Sequence, residues 1–362
     1  MATGGNPGAI YSALLRTDNT MKKIRFGLIG AGLWGRGHAE VYSTHHLSTL
    51  AAVCDLDEKR AAQVAADFGA KKSSADYREL LADPEIDAVA VVTPDFAHAD
   101  PIVAAAEAGK HIIVEKPLAT THEELARIEA AVRAAGVTFM VDFHSRWSPP
   151  IVAARNSIDE GQLGQIVSAY MRLNDTLFVP IEMLSWAAKS SVLWFLGSHT
   201  VDVLRYLLED EVERVYAVSR SEVLKSRGID VPDIYQCILE FRSGVVATIE
   251  NNWIVPNTNP GFNDIKINVL GARGMINMDL THNQMIECFL EDRSFHPDCL
   301  VGPAVRDRHV GFAYESIRSF VDSLATGAPI HATLDDGIKV SKVILAIMDS
   351  ATERNPKTVV YD

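Results

Sequence analysis

Cysteine is scarce in this 362-residue chain, with four in all, at 54, 237, 288 and 299. They lie far apart and form no CxxC pair, which excludes a thiolate zinc knuckle and a redox dithiol, and a disulfide framework does not fit a chain of this size. Long apolar runs are missing as well. Nothing approaches about 18 consecutive apolar residues, so no membrane span and no membrane partner are expected. Basic residues are in deficit, 34 Lys and Arg against 47 Asp and Glu, for a net charge of −13. Such a chain repels nucleic acid, and no basic block offsets the repulsion, so nucleic acid is not expected as a partner either. The twelve histidines include the pair His45-His46 but no HxxxH or HxxE pattern with a third ligand, so no metal is expected. The first twenty residues have neither a basic stretch nor an apolar core and do not read as a secretion signal. The patterned chain begins at Met21. Residues 1–21 are read as a flexible extension, and the cytoplasm is the default location.

What is present is ordinary globular composition, 48% hydrophobic and 22% charged. At roughly 100–200 residues per domain, two domains are expected. From Met21 to about Asp142, β-rich apolar runs (Ile24–Gly30, Leu50–Asp55, Ala88–Thr93, His111–Glu115, Val137–Asp142) alternate with helical patterns (Glu58–Phe68, Phe96–Ala108, Glu123–Ala135). That alternation implies right-handed crossovers and a parallel, doubly wound sheet covered on both faces. The pattern changes at Trp147-Ser148-Pro149-Pro150. Beyond it, Tyr235, Cys237, Leu239 and Phe241 alternate, as do Val245, Ala247, Ile249, Asn251 and Trp253, then Ile265, Ile267 and Val269 before Met275–Leu280. Successive hairpins of this kind make a mostly antiparallel sheet packed on one face. Helices at about Gly311–Thr326 and Asp335–Thr352 and a strand at Thr358–Tyr361 close the chain. The reading is thus α/β followed by α+β: a Rossmann-type domain over 22–145 and a second domain over 146–362.

Gly30-Ala31-Gly32-Leu33-Trp34-Gly35 ends the first strand and opens a helix, and Asp55 closes the second strand. In that context Gly30 makes a tight turn, Gly32 admits a pyrophosphate and Gly35 lets helix and strand pack close, while Leu33 and Trp34 start the helix over the phosphates. A carboxylate at Asp55 accepts from both ribose hydroxyls and repels a 2′-phosphate, which selects NAD over NADP. Thr93-Pro94-Asp95-Phe96-Ala97-His98 and Glu115-Lys116-Pro117 follow the later strands, at the carboxyl edge where open α/β sheets bind ligands. A lysine desolvated there is suited to exchanging a proton with a substrate hydroxyl.

With these motifs the chain resembles the glucose–fructose oxidoreductase / inositol dehydrogenase (Gfo/Idh/MocA) family. The glycine loop, TPDFAH and EKP carry the likeness, joined by Arg146-Trp147 with Pro149 and by Gly197-Ser198-His199 with Asp202 in a helix Val192–Leu208. The resemblance implies a Rossmann domain, a second domain on a large open sheet, a nicotinamide cofactor, and sugars, polyols or related cyclic substrates. It implies Lys116 as catalytic lysine, His199 as a substrate-side histidine, and Thr93, Pro94, His98, Glu115, Lys116 itself and Arg146 around the cofactor. Asp202 is expected to orient its neighbours. One position departs from the pattern: where the family carries an aspartate four residues before the histidine, this chain has Phe195. Asp175, Trp186, Lys189, Asn251 and Trp253 flank that helix, and Phe195, Asp175, Trp186 and Asn251 are taken as the substrate pocket. The function expected is an NAD-dependent oxidoreductase acting on a carbinol carbon. The alternatives are glycoside cleavage through transient ring oxidation and a non-catalytic NAD-binding regulator. Apolar residues on the open side of the second sheet, in Ile265–Leu280 and Met285–Leu290, point to a homodimer or homotetramer.

Overall fold

The computed structural model describes residues 22–281 and 286–361. The extension read over 1–21, and Met285 in the last apolar run, lie outside them. Six strands form the first sheet: β1 (Ile24–Ile29), β2 (Ser48–Cys54), β3 (Lys72–Ser74), β4 (Ala88–Val91), β5 (His111–Val114) and β6 (Phe139–Val141). All pairs are parallel and the order is β3-β2-β1-β4-β5-β6. Every residue of β4 is buried, as a sheet covered by helices on both faces requires. The covering helices are α1 (Leu33–Thr44), α2 (Glu58–Phe68), α3 (Tyr77–Leu81), α4 (Ala99–Glu107) and α5 (His122–Ala135). Their ends follow local chemistry. Asp57 caps α2, a Thr121–Glu124 capping box starts α5, and Gly69 and Gly136 end the two helices in left-handed conformation. The polar strand β3 and the one-turn helix α3 are too short to show a period, and the sequence reading missed both.

After α6 (Pro149–Asp159) the second sheet begins with β7 (Ile166–Asp175), followed by α7 (Ser198–Leu208), β8 (Val212–Arg220), β9 (Ile234–Phe241), β10 (Val246–Asn252), β11 (Asn263–Gly271) and β12 (Met275–Asp279). Then come α8 (Phe312–Thr326), α9 (Leu334–Glu353) and the edge strand β13 (Lys357–Thr358). The order is β12-β11-β7-β10-β9-β8-β13. Only β7 and β10 pair in parallel among the described neighbours; the rest are antiparallel. Tyr235, Cys237, Leu239 and Phe241 turn inward with Ala247 and Ile249, as their alternation predicts. The helices α7 and α9 cover this face, while Ile238, Val246, Leu270 and Met275 stay exposed on the other. The run around Leu290 forms only a two-residue strand, Cys288–Phe289, paired with Ser294–Phe295 outside the large sheet.

The two sheets are tied together. Phe320 of α8 meets the Phe26 ring edge-on at 6.2 Å, and the N–H of Val141 in β6 donates to Ala332 O just before α9. The carboxyl ends of β1, β4 and β5 therefore face α7 and the end of β7 across a crevice.

Candidate active site

The glycine loop has the geometry its motif demands. Gly30 has φ of 102°, and a Cβ there would sit 2.3 Å from Val92 O; at Gly35 a Cβ would meet Gly30 O at 2.1 Å. Around Gly32 no atom lies within 4 Å of where a Cβ would stand. No side chain caps α1, whose first N–H groups point past this open space, with Leu33 exposed beside it. An uncapped helix start behind the open space at Gly32 fits a dinucleotide pyrophosphate.

Asp55 stands at the end of β2, but its oxygens are already engaged. Oδ2 accepts from Ala31 N (2.7 Å), and Oδ1 from Asp57 N (2.9 Å) and Arg60 (2.7 Å). Burial works against its charge, yet the bonds from Arg60, Asp57 and Ala31 outweigh it and hold the carboxyl below its usual range. The side chain braces the loop and carries a cation next to it, which the sequence did not suggest.

Lys116 leaves the end of β5 half-buried and reaches the other domain. Its Nζ donates to Phe195 O (2.8 Å) and lies 4.2 Å from the centroid of the Phe195 ring. Burial lowers its pKa, against the pull of Glu115, Asp95, Asp175 and Asp142. His199, in the first turn of α7, is buried with Nδ1 unpartnered, and burial together with Lys116 and His144 keeps it neutral. Residues Leu193–Gly197 before it form a π-helical turn, so Phe195 and His199 do not share one regular α-helix. Phe195 joins a wall of aromatic rings: Trp186 lies 6.1 Å from Phe195 and 6.3 Å from Phe96, and Trp253 lies 5.9 Å behind Phe195. Lys189 stands over Phe96 at the rim. Asp175, at the end of β7, is buried, with Oδ1 accepting from Asn263.

Several expected ligand contacts are used inside the protein instead. His98 bridges two loops, with Nδ1 2.7 Å from Pro117 O and Nε2 2.9 Å from Thr93 O. Thr93 and Pro94 remain half-buried at the crevice, the Thr93 hydroxyl donating to Ala97 O. Glu115 turns back beneath α1, where its Oε1 lies 3.0 Å from His38 Nε2 and the Trp34 indole N–H donates to it. Arg146 is committed to Asp202, Asp336 and His331 O, and so locks α7 to α9. Asn251 is fully buried, with its amide N–H₂ on Leu173 O and Thr200 Oγ1. For Glu115, Arg146 and Asn251 the partners lie far away in sequence, so spacing alone could not place them.

The fold also assembles groups that sequence reasoning passed over. His38, Glu115 and Asp142, on three different elements, place ligand atoms within 4.8 Å of one another. Hydrogen bonds tie two of them together: Tyr42 O–H donates to His38 Nδ1 (2.9 Å), and His38 Nε2–H donates to Glu115. Burial raises Glu115 to about 7 and Asp142 well above its ordinary value; the Glu115 charge raises Asp142 further, while Lys116 and Asp142 hold Glu115 down. His144 is the second omission. Its ring lies 4.6 Å from that of His199, 5.8 Å from Trp34 and 5.5 Å from Phe312, with Nδ1 unpartnered. It sits two residues before Arg146 in a segment without periodicity, and its only sequence signal is that proximity.

The chain matches two family models, "Oxidoreductase family, NAD-binding Rossmann fold" over residues 24–143 and "GFO/IDH/MocA C-terminal domain" over 151–277. It is 28% identical to levoglucosan dehydrogenase of Pseudarthrobacter phenanthrenivorans, over 92% of this chain and 98% of that protein. It is 32% identical to scyllo-inositol 2-dehydrogenase (NAD(+)) of Bacillus subtilis, over 73% and 76%. Among solved structures, a levoglucosan dehydrogenase in complex with NADH and levoglucosan superposes with a TM-score of 0.79 at 27% identity, over 93% of this chain and all of that one. With both halves matched and the loop, lysine and histidine in place, the chain belongs to the Gfo/Idh/MocA family of NAD-binding oxidoreductases.

Proposed function

We propose that this protein is a cytoplasmic NAD-dependent dehydrogenase that oxidises a carbinol of a cyclic sugar, anhydro sugar or polyol, or reduces the corresponding carbonyl. The observation that carries the reading is the juxtaposition of Lys116, desolvated and held across the crevice, with neutral His199 whose Nδ1 is open. Gly30, Gly32, Gly35 and the start of α1 would hold NAD, with Asp55 at the adenosine end. NAD, when bound, supplies the hydride acceptor. In oxidation, Lys116 Nζ takes the hydroxyl proton while the carbinol carbon gives up its hydride, and His199 donates or accepts at the same oxygen as the carbonyl forms.

Phe96, Trp186 and Phe195 give the crevice an aromatic side. A ring with one apolar face, such as a compact anhydro sugar, suits it better than a ring hydroxylated all round, since burying apolar area contributes about 25 cal/mol per Å². The test is absorbance at 340 nm with NAD and a panel of cyclic polyols, anhydro sugars and aryl glycosides. Net NADH formation is the expected result. Aglycone release without net NADH would replace the dehydrogenase reading with glycoside cleavage, and binding of NAD with neither outcome would replace it with a regulator.

A further inference from the structure

Position 195 carries a phenyl ring where the family resemblance expects a carboxylate. An acid from another element stands close by. Asp175 ends β7 and is 1% exposed, and its backbone is secured by Val255 N donating to its carbonyl. Among the described residues Oδ1 accepts from the Asn263 amide, while Oδ2 has no well-aligned partner. The indole N–H of Trp253 lies beside the same carboxyl, fully buried and itself without a well-aligned acceptor. The charge of Lys116 acts on this carboxyl, and Trp253 also backs the Phe195 ring on which Lys116 rests. A buried acceptor and a buried donor that meet poorly aligned cost free energy. One group repairs both, because a hydroxyl donates and accepts at once.

We propose that Asp175 replaces the missing aspartate as the hydroxyl-binding carboxylate of the substrate site: a ring hydroxyl donates to its Oδ2 and accepts from Trp253 Nε1–H, which fixes the carbinol presented to Lys116. The ligand class is a cyclic compound with at least two hydroxyls, one at the lysine and one at this pair. The assignment rests on the reading of the crevice as a polyol site. It explains how that site keeps a carboxylate although residue 195 is apolar. Burial raises Asp175 to about 7, the first cause, with Asn263 and Lys116 opposing it, so a donor arriving at Oδ2 tips it to the charged form.

The test compares wild type, Asp175→Asn and the double variant Asp175→Asn/Phe195→Asp. Levoglucosan and scyllo-inositol serve as probes, read both as turnover with NAD and as calorimetric binding to the NADH-loaded protein. Asp175→Asn is near-isosteric and keeps the Asn263 side satisfied. It is expected to weaken binding of the preferred probe at least about tenfold and to lower kcat/KM by about 10–100-fold, as for loss of a hydrogen bond to a charged group. NADH affinity should stay within about twofold. The double variant should recover about tenfold, because it restores a carboxylate one residue group away. Probe binding by Asp175→Asn equal to wild type overturns the assignment, as does a parallel loss of NADH affinity, which would mark Asp175 as a strand-end brace. A wild type that binds neither probe also overturns it. Binding that depends on Asp175 without turnover would leave the assignment standing while removing the dehydrogenase reading.

Discussion

Lys116 works under two opposed constraints, and their balance sets what its replacement should do. Burial strips its water and lowers its pKa, while Glu115, Asp95, Asp175 and Asp142 hold its proton. A group poised in this way is efficient in general acid–base transfer, whose typical contribution is about 10²–10⁴-fold. Lys116→Met should lower kcat by that factor and leave NAD affinity nearly unchanged, since Nζ bonds Phe195 O and no part of the glycine loop. Titration calorimetry beside steady-state kinetics checks both halves. Asp55 makes a different prediction because Arg60 stands on it. Asp55→Ala removes the ribose acceptor, worth about 1.5–3 kcal/mol for a charged hydrogen bond, and frees a guanidinium that welcomes a 2′-phosphate. NAD affinity should fall and NADP affinity should rise; a variant that loses both equally would show that Asp55 serves only the loop through Ala31 N.

Among the elements, α7 shows how packing turns a motif into a site. Its Asp202 is wholly buried and meets Arg146, whose guanidinium also takes Asp336 from α9. Three elements are pinned by one cation, close to His199. Arg146→Met strips the wholly buried Asp202 of its bonded cation and leaves Asp336 to Arg205, and breaking such a pair costs about 3–5 kcal/mol. Urea unfolding should show that loss, and a drop under about 1 kcal/mol would mean the acids find water or other partners. The legibility of the chain divides along the same line. The glycine loop, TPDFAH, EKP and GSHxxD lie in short contiguous stretches, so strand, turn and helix periods were enough to place Gly30, Lys116 and His199 at one edge. Asn251 alternates like a pocket residue, yet Thr200 and Leu173 O claim it from other elements. His38, Asp142 and His144 gave no local signal because their meaning lies in what α1, β6 and α7 bring together. Phe195 was legible as a departure, whereas its carbonyl bond to Lys116 was not.

For the whole molecule, pH and assembly are the two properties that integrate these details. His38 and His144 are held near 4 and 3, burial being the main cause in each, against about 6.5 when unfolded. The unfolded chain therefore binds protons that the native chain refuses, so stability from these groups is intact above pH 6.5 and is lost as pH falls toward 4. Glu115 and Asp175, raised to about 7, act in the other direction: their penalty is present above pH 7 and is relieved on acidification. Subtracting one histidine isolates its share. His144→Phe should lose about 2 kcal/mol less stability than wild type between pH 6.5 and 5, from about 1.4 kcal/mol per pH unit. Thermal melts across that range check the sign as well as the size. In assembly, Ile238 and Val246 are 45% and 44% exposed on the open face of the second sheet, with Leu270 and Met275 on the same face. A flat apolar surface of this kind is expected to pair two copies of the chain. Sedimentation should show a dimer or tetramer that Ile238→Glu splits, and a wild type monomeric at micromolar concentration would refute it.

The bond from Lys116 to Phe195 is made to a main-chain oxygen. Whatever side chain occupies that position, the oxygen stays, and the lysine keeps its seat. Residue 195 is therefore a dial that changes the surface beside the reacting amine while its main-chain anchor stays, and a library built there would sample new substrates around a lysine still tied in place.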